Sequence, residues 1–289
     1  MNKQDVEAIA IGHFDGIHRG HKELIKRLGK NGALVIIEIG MANLTPKDRR
    51  EEYSKLPCFY YDFEEIRNLD GRNFVNLLKK DFINLKKIVV GYDFRFGKDR
   101  GWDKFDLKKI FDGEVEIVNE FTFDGMGIHS SNIRRFIKNG DIYRANRLLG
   151  REYSIRGVQI RGNNIGSKKL FATINVDTGV YLLPKNGVYV TRTKFNDITY
   201  PSVTFIGNRL SVDNKFSVET HILSDNLEEV KTQISICFIE FIRENKKFDD
   251  LKDLKTQIQK DIKIANVLNQ TCDITTSEKI THTRTLINA

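Results

Sequence analysis

The apolar pattern of this chain changes near residue 150, and the change divides the sequence between two kinds of fold. Before it, strand-like runs such as Val6 to Ile11 and Ala33 to Ile39 alternate with stretches of helical spacing. Strands that alternate with helices predict a parallel sheet with helices on both faces. We therefore expect a Rossmann-like α/β domain over residues 1–150.

Residues 151–268 follow a different pattern, in which short strand-like runs are separated by glycine, asparagine, aspartate and proline. These runs are Gly187 to Thr193, Tyr200 to Ile206 and Phe216 to Leu223. Such spacing is typical of antiparallel strands joined by turns. Helical spacing then continues from Leu251 to Leu268. We expect a mainly antiparallel β domain, a small β-barrel or a sandwich, with a C-terminal helix and a loosely held polar tail over residues 269–289.

Charge and cysteine content narrow the class of protein. The net charge of +8 suits either a nucleic-acid surface or small phosphorylated substrates. The lysines are scattered rather than clustered, which favours small substrates, so no nucleic-acid partner is expected. Three separated cysteines, Cys58, Cys237 and Cys272, argue against a disulfide framework and against a zinc site. We expect a cytoplasmic protein without a membrane span. Whether it forms a homo-oligomer is left open by the sequence.

A glycine- and histidine-rich segment, Gly12 to His21, joins the first apolar run to the first helical stretch. A glycine-containing turn at the end of a parallel strand lets phosphate groups approach the backbone. His18 and His21 are three residues apart and can share one side of the helix, where imidazoles can donate hydrogen bonds to a triphosphate. An ordinary turn with two surface histidines is the alternative. The candidate nucleotide-binding residues here are Gly12, Phe14, Asp15, Gly16, His18 and His21.

Two further segments of the first part have similar chemistry. The loop Gly91 to Gly101 follows a strand-like run and suits a flat ring and a phosphate, although Phe94 and Phe96 could instead be core residues. Ser130 and Ser131 open a helix, where serine also serves as an N-cap, and Arg134 follows one turn later. An arginine at this position can hold phosphate oxygens with its fork of donors.

In the second part, Thr173 and Asn175 alternate along a strand and therefore share a face. A hydroxyl and an amide on one face can bind a metal–nucleotide complex. Glu219, in another strand-like run, could accept a proton. For all three residues, a solvent-facing strand position is the alternative.

The first part resembles the adenylyltransferase domain of bacterial bifunctional riboflavin kinase/FMN adenylyltransferases, also called FAD synthetases. That family carries GxFDGxHxGH, GxDFxFGxxRxG and (S/T)SxxIR in this order, and the first two match almost completely. The resemblance implies a nucleotidyltransferase fold and attack of the FMN phosphate on the α-phosphate of ATP, helped by Mg²⁺. His18 and His21 would then stabilise the phosphates, while Ser130, Ser131 and Arg134 hold the triphosphate. The loop with Asp93, Phe94, Phe96 and Arg100 would lie near nucleotide or flavin.

The second part resembles the riboflavin kinase domain of the same enzymes. Thr173 and Asn175 are thereby implied as Mg²⁺–ATP residues, with Gly162 and Gly166 in the glycine-rich loop before them. Glu219 is implied as the base for the ribityl 5′-hydroxyl, and Arg243 as a flavin contact. The implied enzyme is bifunctional: it makes FMN from riboflavin and FAD from FMN, each with ATP.

The chain departs from the family at several places. Gly166 to Leu170 replaces the arginine-glycine pattern before the kinase motif, and Arg209 to Ser211 replaces the usual Arg-Pro-Thr. His129 replaces the first serine of the helix-opening motif, Glu38 to Asn43 lacks the usual Pro-His-Pro loop, and the kinase motif reads Ala172 to Asn175 instead of Pro-Thr-Ala-Asn. Three alternatives therefore stay open: an FMN adenylyltransferase with a degenerate kinase domain, an adenylyltransferase with another acceptor, and a non-catalytic flavin-sensing or nucleic-acid-binding regulator.

Overall fold

Two compact units make up the chain, Met1–Ser130 and Ser131–Ala289. The computed structural model describes residues 1–40, 42–46, 48–160, 173–211, 213–224 and 229–271. Among the described helices, none combines the length and the apolar character that crossing a bilayer requires.

A five-stranded parallel sheet with the order β3-β2-β1-β4-β7 forms the centre of the first unit. Its strands are β1 (Ala8–Gly12), β2 (Gly32–Glu38), β3 (Cys58–Asp62), β4 (Lys87–Gly91) and β7 (Glu114–Val118). Two short hairpins accompany it, β5 (Arg95–Phe96) with β6 (Trp102–Asp103), and β8 (Thr122–Phe123) with β9 (Met126–Gly127). The helices of this unit are α1 (Arg19–Ile25), α2 (Arg49–Ser54), α3 (Phe63–Ile66), α4 (Gly71–Asp81) and α5 (Lys104–Ile110).

Both faces of the sheet are buried at its centre, which explains why β1, β2 and β4 are continuous apolar runs. Ile9 and Ile11 of β1 pack on one face with Phe74 and Leu78 of α4. Ala8 and Ala10 of the same strand pack on the other face, where α1 contributes partly buried leucine and isoleucine side chains. Alternate residues of a strand point to opposite faces, so one strand serves two cores. The predicted α/β sheet is confirmed.

The second unit begins within α6 (Ser130–Lys138), continues through α7 (Ile142–Leu149) and then forms a closed six-stranded barrel. Asn146 of α7 donates from Nδ2 to the Phe238 carbonyl at 2.9 Å and accepts from the Tyr153 amide at 2.7 Å. These bonds tie α7 to two barrel strands. The division after Ser130 therefore lies before residue 150, where the change of sequence pattern places the domain boundary.

The barrel strands are all antiparallel to their neighbours, in the closed order β10-β11-β14-β13-β12-β15. They are β10 (Tyr153–Ile160), β11 (Ile174–Asp177), β12 (Gly187–Phe195), β13 (Ile198–Asn208), β14 (Phe216–Ile222) and β15 (Ile234–Arg243). The helix α8 (Leu251–Thr271) places Ala265 and Leu268 against Val188, Val190 and Val203. The predicted barrel and C-terminal helix are confirmed, and the predicted tail begins inside α8.

Hydroxyl groups fill part of the barrel interior and form a closed ring of hydrogen bonds. The five side chains are fully buried, and consecutive oxygens lie 2.8 to 3.0 Å apart. In order around the ring they are Thr191, Ser202, Thr193, Thr220 and Thr204. Each hydroxyl can donate once and accept once, so the ring leaves none of its donors unsatisfied.

Candidate functional site

The turn between β1 and α1 holds two buried non-glycine residues in the left-handed region of backbone conformation. Phe14 has a φ of 50° and Ile17 a φ of 37°, with Gly16 between them at 97°. Such conformations cost about 1–3 kcal/mol each and persist where the surroundings enforce them. The turn is therefore held by specific contacts.

Asp15 supplies those contacts. Its carboxylate is fully buried and accepts hydrogen bonds from the amides of Leu44 at 3.1 Å and Thr45 at 2.8 Å. Thr45 Oγ1 in turn accepts from the Gly16 amide at 2.7 Å. Asp15 and Gly16 thus fix the turn to the loop that follows β2, and neither lines the cavity beside the turn.

His18 and His21 lie together at the start of α1. Their rings stack with centroids 3.5 Å apart and an interplanar angle of 15°. His18 caps the helix, because its Nδ1 accepts a hydrogen bond from the His21 amide at 3.2 Å. An accepting Nδ1 places the proton of the neutral ring on Nε2, which is then a hydrogen-bond donor. Both rings line the cavity.

His13 has the opposite arrangement. Its Nδ1 lies 2.9 Å from the Ile37 carbonyl oxygen, which can only accept. The proton of the neutral ring is therefore on Nδ1, and Nε2 is an acceptor. The side chain is half-buried and lines the same cavity.

The cavity has a volume of about 490 Å³ and lies at the carboxyl edge of the parallel sheet. Ligands of open α/β sheets bind at this edge. The turn contributes Gly12, His13, Phe14, His18 and His21 to its wall, and the segment after β7 contributes Glu120, His129 and Ser130. Ser130 Oγ donates to the Asp15 carbonyl at 2.6 Å, which places the serine beside the turn.

The loop after β4 forms the aromatic wall of the cavity. Phe94 and Phe96 stack with centroids 5.3 Å apart, and both line it. Phe96 is also buried against Phe74 of α4, so it serves the core as well. Asp93 and Arg100 line the cavity and are exposed. The sequence-predicted loop residues are thus gathered on one wall.

Ser131 and Arg134 lie on α6 in the second unit, Ser131 exposed and Arg134 half-buried. Their proposed part in holding the triphosphate stays a prediction.

On the barrel, the register of three strands brings the kinase candidates together. Asn175 of β11 lies directly opposite Glu219 of β14. Thr173 precedes β11 by one residue, and its Oγ1 donates to Glu219 Oε2 at 3.4 Å. Thr220, the next residue of β14, points into the barrel, so Glu219 points outward with Thr173 and Asn175.

Arg209 is a further residue of this site that the sequence interpretation did not assign a role. Its Nη1 lies 3.3 Å from Glu219 Oε1, and its Nε and Nη2 bind both carboxylate oxygens of Asp213 at 3.0 and 2.7 Å. The bidentate pair fixes the guanidinium, which in turn positions Glu219. Arg209 follows β13 directly. Its position in the Ile-Gly-Asn-Arg segment is the sequence feature that could have indicated a role in this site.

Arg243, the predicted flavin contact, is bound to Asp261 of α8. Its Nε and Nη2 lie 3.0 and 2.8 Å from the two carboxylate oxygens, and the Asp261 side chain is only 2% exposed. Gly162 and Gly166 lie outside the described residues, as does Cys272. His13, Tyr92, Glu120 and His129 line the cavity but were not predicted as site residues.

Comparison with known proteins finds two family models that match successive parts of the chain. A family model described as FAD synthetase matches residues 1–47 and 43–132, and one described as riboflavin kinase matches residues 149–268. A chain described as a macrolide-efflux protein from Streptococcus pneumoniae has a similar structure, with a TM-score of 0.80 and 26% identity. That likeness covers 92% of this chain and 97% of the other.

Curated relatives extend over nearly the whole sequence. The bifunctional riboflavin kinase/FMN adenylyltransferase of Listeria monocytogenes is 31% identical over 287 residues, covering 88% of this chain and 90% of the relative. The protein of the same name from Pseudomonas fluorescens is 28% identical and covers 89% and 91%. Similarity of this extent shows that the chain belongs to the family of bifunctional riboflavin kinase/FMN adenylyltransferases.

Proposed function

We propose that this protein phosphorylates riboflavin to FMN and then adenylates FMN to FAD, consuming one ATP in each step. The observation that carries the proposal is that one chain brings together both sets of candidate side chains. The stacked His18–His21 pair lines a cavity in the first unit, and Thr173 meets Glu219 on the barrel of the second.

Adenylyl transfer requires an oxygen of the FMN phosphate to attack the α-phosphorus of ATP. The bond from that phosphorus to the bridging oxygen breaks, and pyrophosphate leaves with the electron pair. Negative charge grows on the phosphate oxygens, so fixed hydrogen-bond donors stabilise the transition state more than the ground state. His18 Nε2 is such a donor, because Nδ1 of the same ring is occupied by the helix cap.

Phosphorylation of riboflavin requires the ribityl 5′-hydroxyl to attack the γ-phosphorus of ATP. Glu219 accepts the hydroxyl proton as the new oxygen–phosphorus bond forms and ADP leaves. Arg209 and Thr173 contact different oxygens of this carboxylate, so they fix its orientation toward the substrate.

Mg²⁺ is part of the proposal, since a metal-bound triphosphate is the usual phosphoryl donor. The ion would neutralise phosphate charge and align the nucleotide. Thr173 and Asn175 offer a hydroxyl and an amide oxygen, the hard ligands that Mg²⁺ takes together with substrate phosphates. Among the described residues, no three His, Cys, Asp or Glu side chains form a group able to hold a metal ion. This donor set fits an ion that arrives with the nucleotide.

Cytoplasmic location and action on small molecules without a nucleic-acid partner complete the proposal. The diffuse positive charge and the separated cysteines support both. A homo-oligomer is compatible with the proposal but plays no part in either step.

A chromatographic time course tests both activities. The purified chain is incubated with ATP and Mg²⁺ and either riboflavin or FMN. FAD from both flavins, with FMN appearing first from riboflavin, is the expected result. FAD from FMN alone would establish the single-activity alternative, and no conversion of either flavin would exclude the proposal in favour of a regulator.

A further inference from the structure

A cluster of three polar side chains lies in the wall of the cavity, and none of the three has a part in the proposed steps. The Tyr92 hydroxyl donates to Glu120 Oε1 at 3.1 Å, and His129 Nε2 lies 3.4 Å from the same oxygen. All three residues line the cavity. His129 is also the residue that replaces the usual serine of the helix-opening motif.

The backbone near Glu120 leaves room for this cluster. A Cβ atom at Gly127 would lie 2.4 Å from Glu120 Oε1 and 3.2 Å from His129 Nε2. Any larger residue at 127 would displace the carboxylate. The glycine in β9 therefore leaves the space in which the Glu120 carboxylate meets both partners.

Glu120 retains the capacity to bind a ligand. Its side chain is 42% exposed, and its contacts with Tyr92 and His129 both involve Oε1. Across the part of the chain that the structure describes, Oε2 forms no hydrogen bond or ion pair. A carboxylate repels phosphate but accepts hydrogen bonds from hydroxyl groups. Acidic residues near the carboxyl ends of parallel strands hold ribose hydroxyls in this way, and Glu120 follows β7 by two residues.

We propose that Glu120, held by Tyr92 and His129, is a specificity-determining residue that accepts hydrogen bonds from hydroxyl groups of a bound substrate. The proposal rests on the proposed adenylyl transfer, in which two substrates carry such groups: the ribose of ATP and the ribityl chain of FMN. Both groups carry neighbouring hydroxyls, on a ring in the ribose and on an open chain in the ribityl group.

Steady-state kinetics of FAD formation from FMN separate the two sources. The full chain is compared with Glu120→Ala, using ATP, 2′-deoxy-ATP and FMN as varied substrates. A lost hydrogen bond to a charged group corresponds to a rise in KM of about tenfold or more. A rise for ATP but not for 2′-deoxy-ATP identifies the ribose. A rise for FMN with an unchanged KM for ATP identifies the ribityl chain. In either case kcat changes little.

Two further variants make the test specific. Glu114→Ala removes a carboxylate at the start of β7, the strand that leads to Glu120, and we expect it to leave both KM values unchanged. Tyr92→Phe removes one donor that holds Glu120 and should raise the affected KM by a smaller factor. Thermal shifts with ATP and with 2′-deoxy-ATP give a binding readout that is independent of turnover.

The outcomes distinguish the two levels of proposal. An active protein whose KM values for ATP and FMN are unaffected by Glu120→Ala overturns the role of Glu120 and leaves the proposed function intact. A loss of kcat alone also overturns it, since that result would mark a role other than substrate recognition. A wild-type chain that forms no FAD from FMN overturns the adenylyl transfer itself, and the role of Glu120 with it.

Discussion

The rings of His18 and His21 stack at 3.5 Å, and the same two residues share the hydrogen bond that caps α1. One side chain thus orders the helix start and sets the proton position of its own ring. Since His18 is 4% exposed, its orientation is fixed before a substrate arrives. Fixed donors of this kind stabilise a transition state without reorganising.

Replacing His18 with asparagine should lower FAD formation from FMN by about 10²–10³-fold, the usual loss for one fixed donor to a developing charge. FMN formation from riboflavin should stay near the wild-type rate. Glu219→Ala is the reciprocal control, because it should stop FMN formation and leave FAD formation from FMN. Both rates are measured by chromatography. Equal loss of both activities in either variant would contradict two separate sites.

The sequence was sufficient to predict the sheet of the first unit from its apolar runs, the antiparallel strands of the second unit from their turn residues, and α8 from its helical spacing. It did not identify β15, although Ile234 to Arg243 is apolar at nearly every second position and the strand joins β10 to β12. Helix α5 was also missed, because its start depends on the capping box formed by Asp103 and Asp106 rather than on a long apolar stripe.

Residues of the candidate sites could be predicted where they belong to local sequence motifs. The tertiary contacts that bring these residues together could not. Thr173 and Glu219 could be named from the sequence, but their approach depends on the pairing of β11 with β14. Asp15 lies within a predicted nucleotide-binding motif, yet its carboxylate is buried against the loop at residues 43–45. Contacts over such sequence separations leave no periodic signal along the chain.

Arg209→Ala should lower kcat/KM for riboflavin phosphorylation by about 10- to 100-fold, as expected when a charged hydrogen bond that positions Glu219 is lost. FAD formation from FMN should not change. Arg192→Ala is the matched control, because Arg192 also pairs with a carboxylate in the second unit, Glu152 at 2.6 Å, away from Glu219. Riboflavin phosphorylation at the wild-type rate in Arg209→Ala would contradict the positioning role.

Asp261→Asn should lower the free energy of unfolding of the second unit by about 3 kcal/mol, since it leaves the Arg243 guanidinium without its buried counter-ion. Arg243→Ala should destabilise as well, and chemical denaturation of both variants measures the loss. The two variants also test the predicted flavin contact. A KM for riboflavin raised by Arg243→Ala beyond the effect of Asp261→Asn would support it, whereas equal KM values would assign Arg243 to the barrel–helix contact alone.

Cys58 should resist alkylation at about pH 8, although thiolates of ordinary cysteines react there. Burial raises the pKa of the Cys58 thiol to about 11, because the charged thiolate would lose its hydration. Peptide mass spectrometry after iodoacetamide treatment should show slow labelling of native Cys58 that accelerates as the pH rises toward this value. The denatured chain is the control, and rapid labelling of the native protein near pH 8 would contradict the raised pKa.

Thr204→Val should destabilise the barrel because it opens the ring of five hydroxyls and leaves Thr191 and Thr220 each without one partner in that ring. Breaking such a buried network lowers the free energy of unfolding by about 1–3 kcal/mol. Each kcal/mol lowers Tm by about 2–4 °C in a protein of this size. Thr199→Val is the matched control, since Thr199 is an exposed residue of the same strand, β13. Calorimetry of both variants measures the difference. If the two valine variants melt together, the hydroxyl ring contributes nothing to stability, and strand pairing and apolar packing suffice to hold the barrel closed.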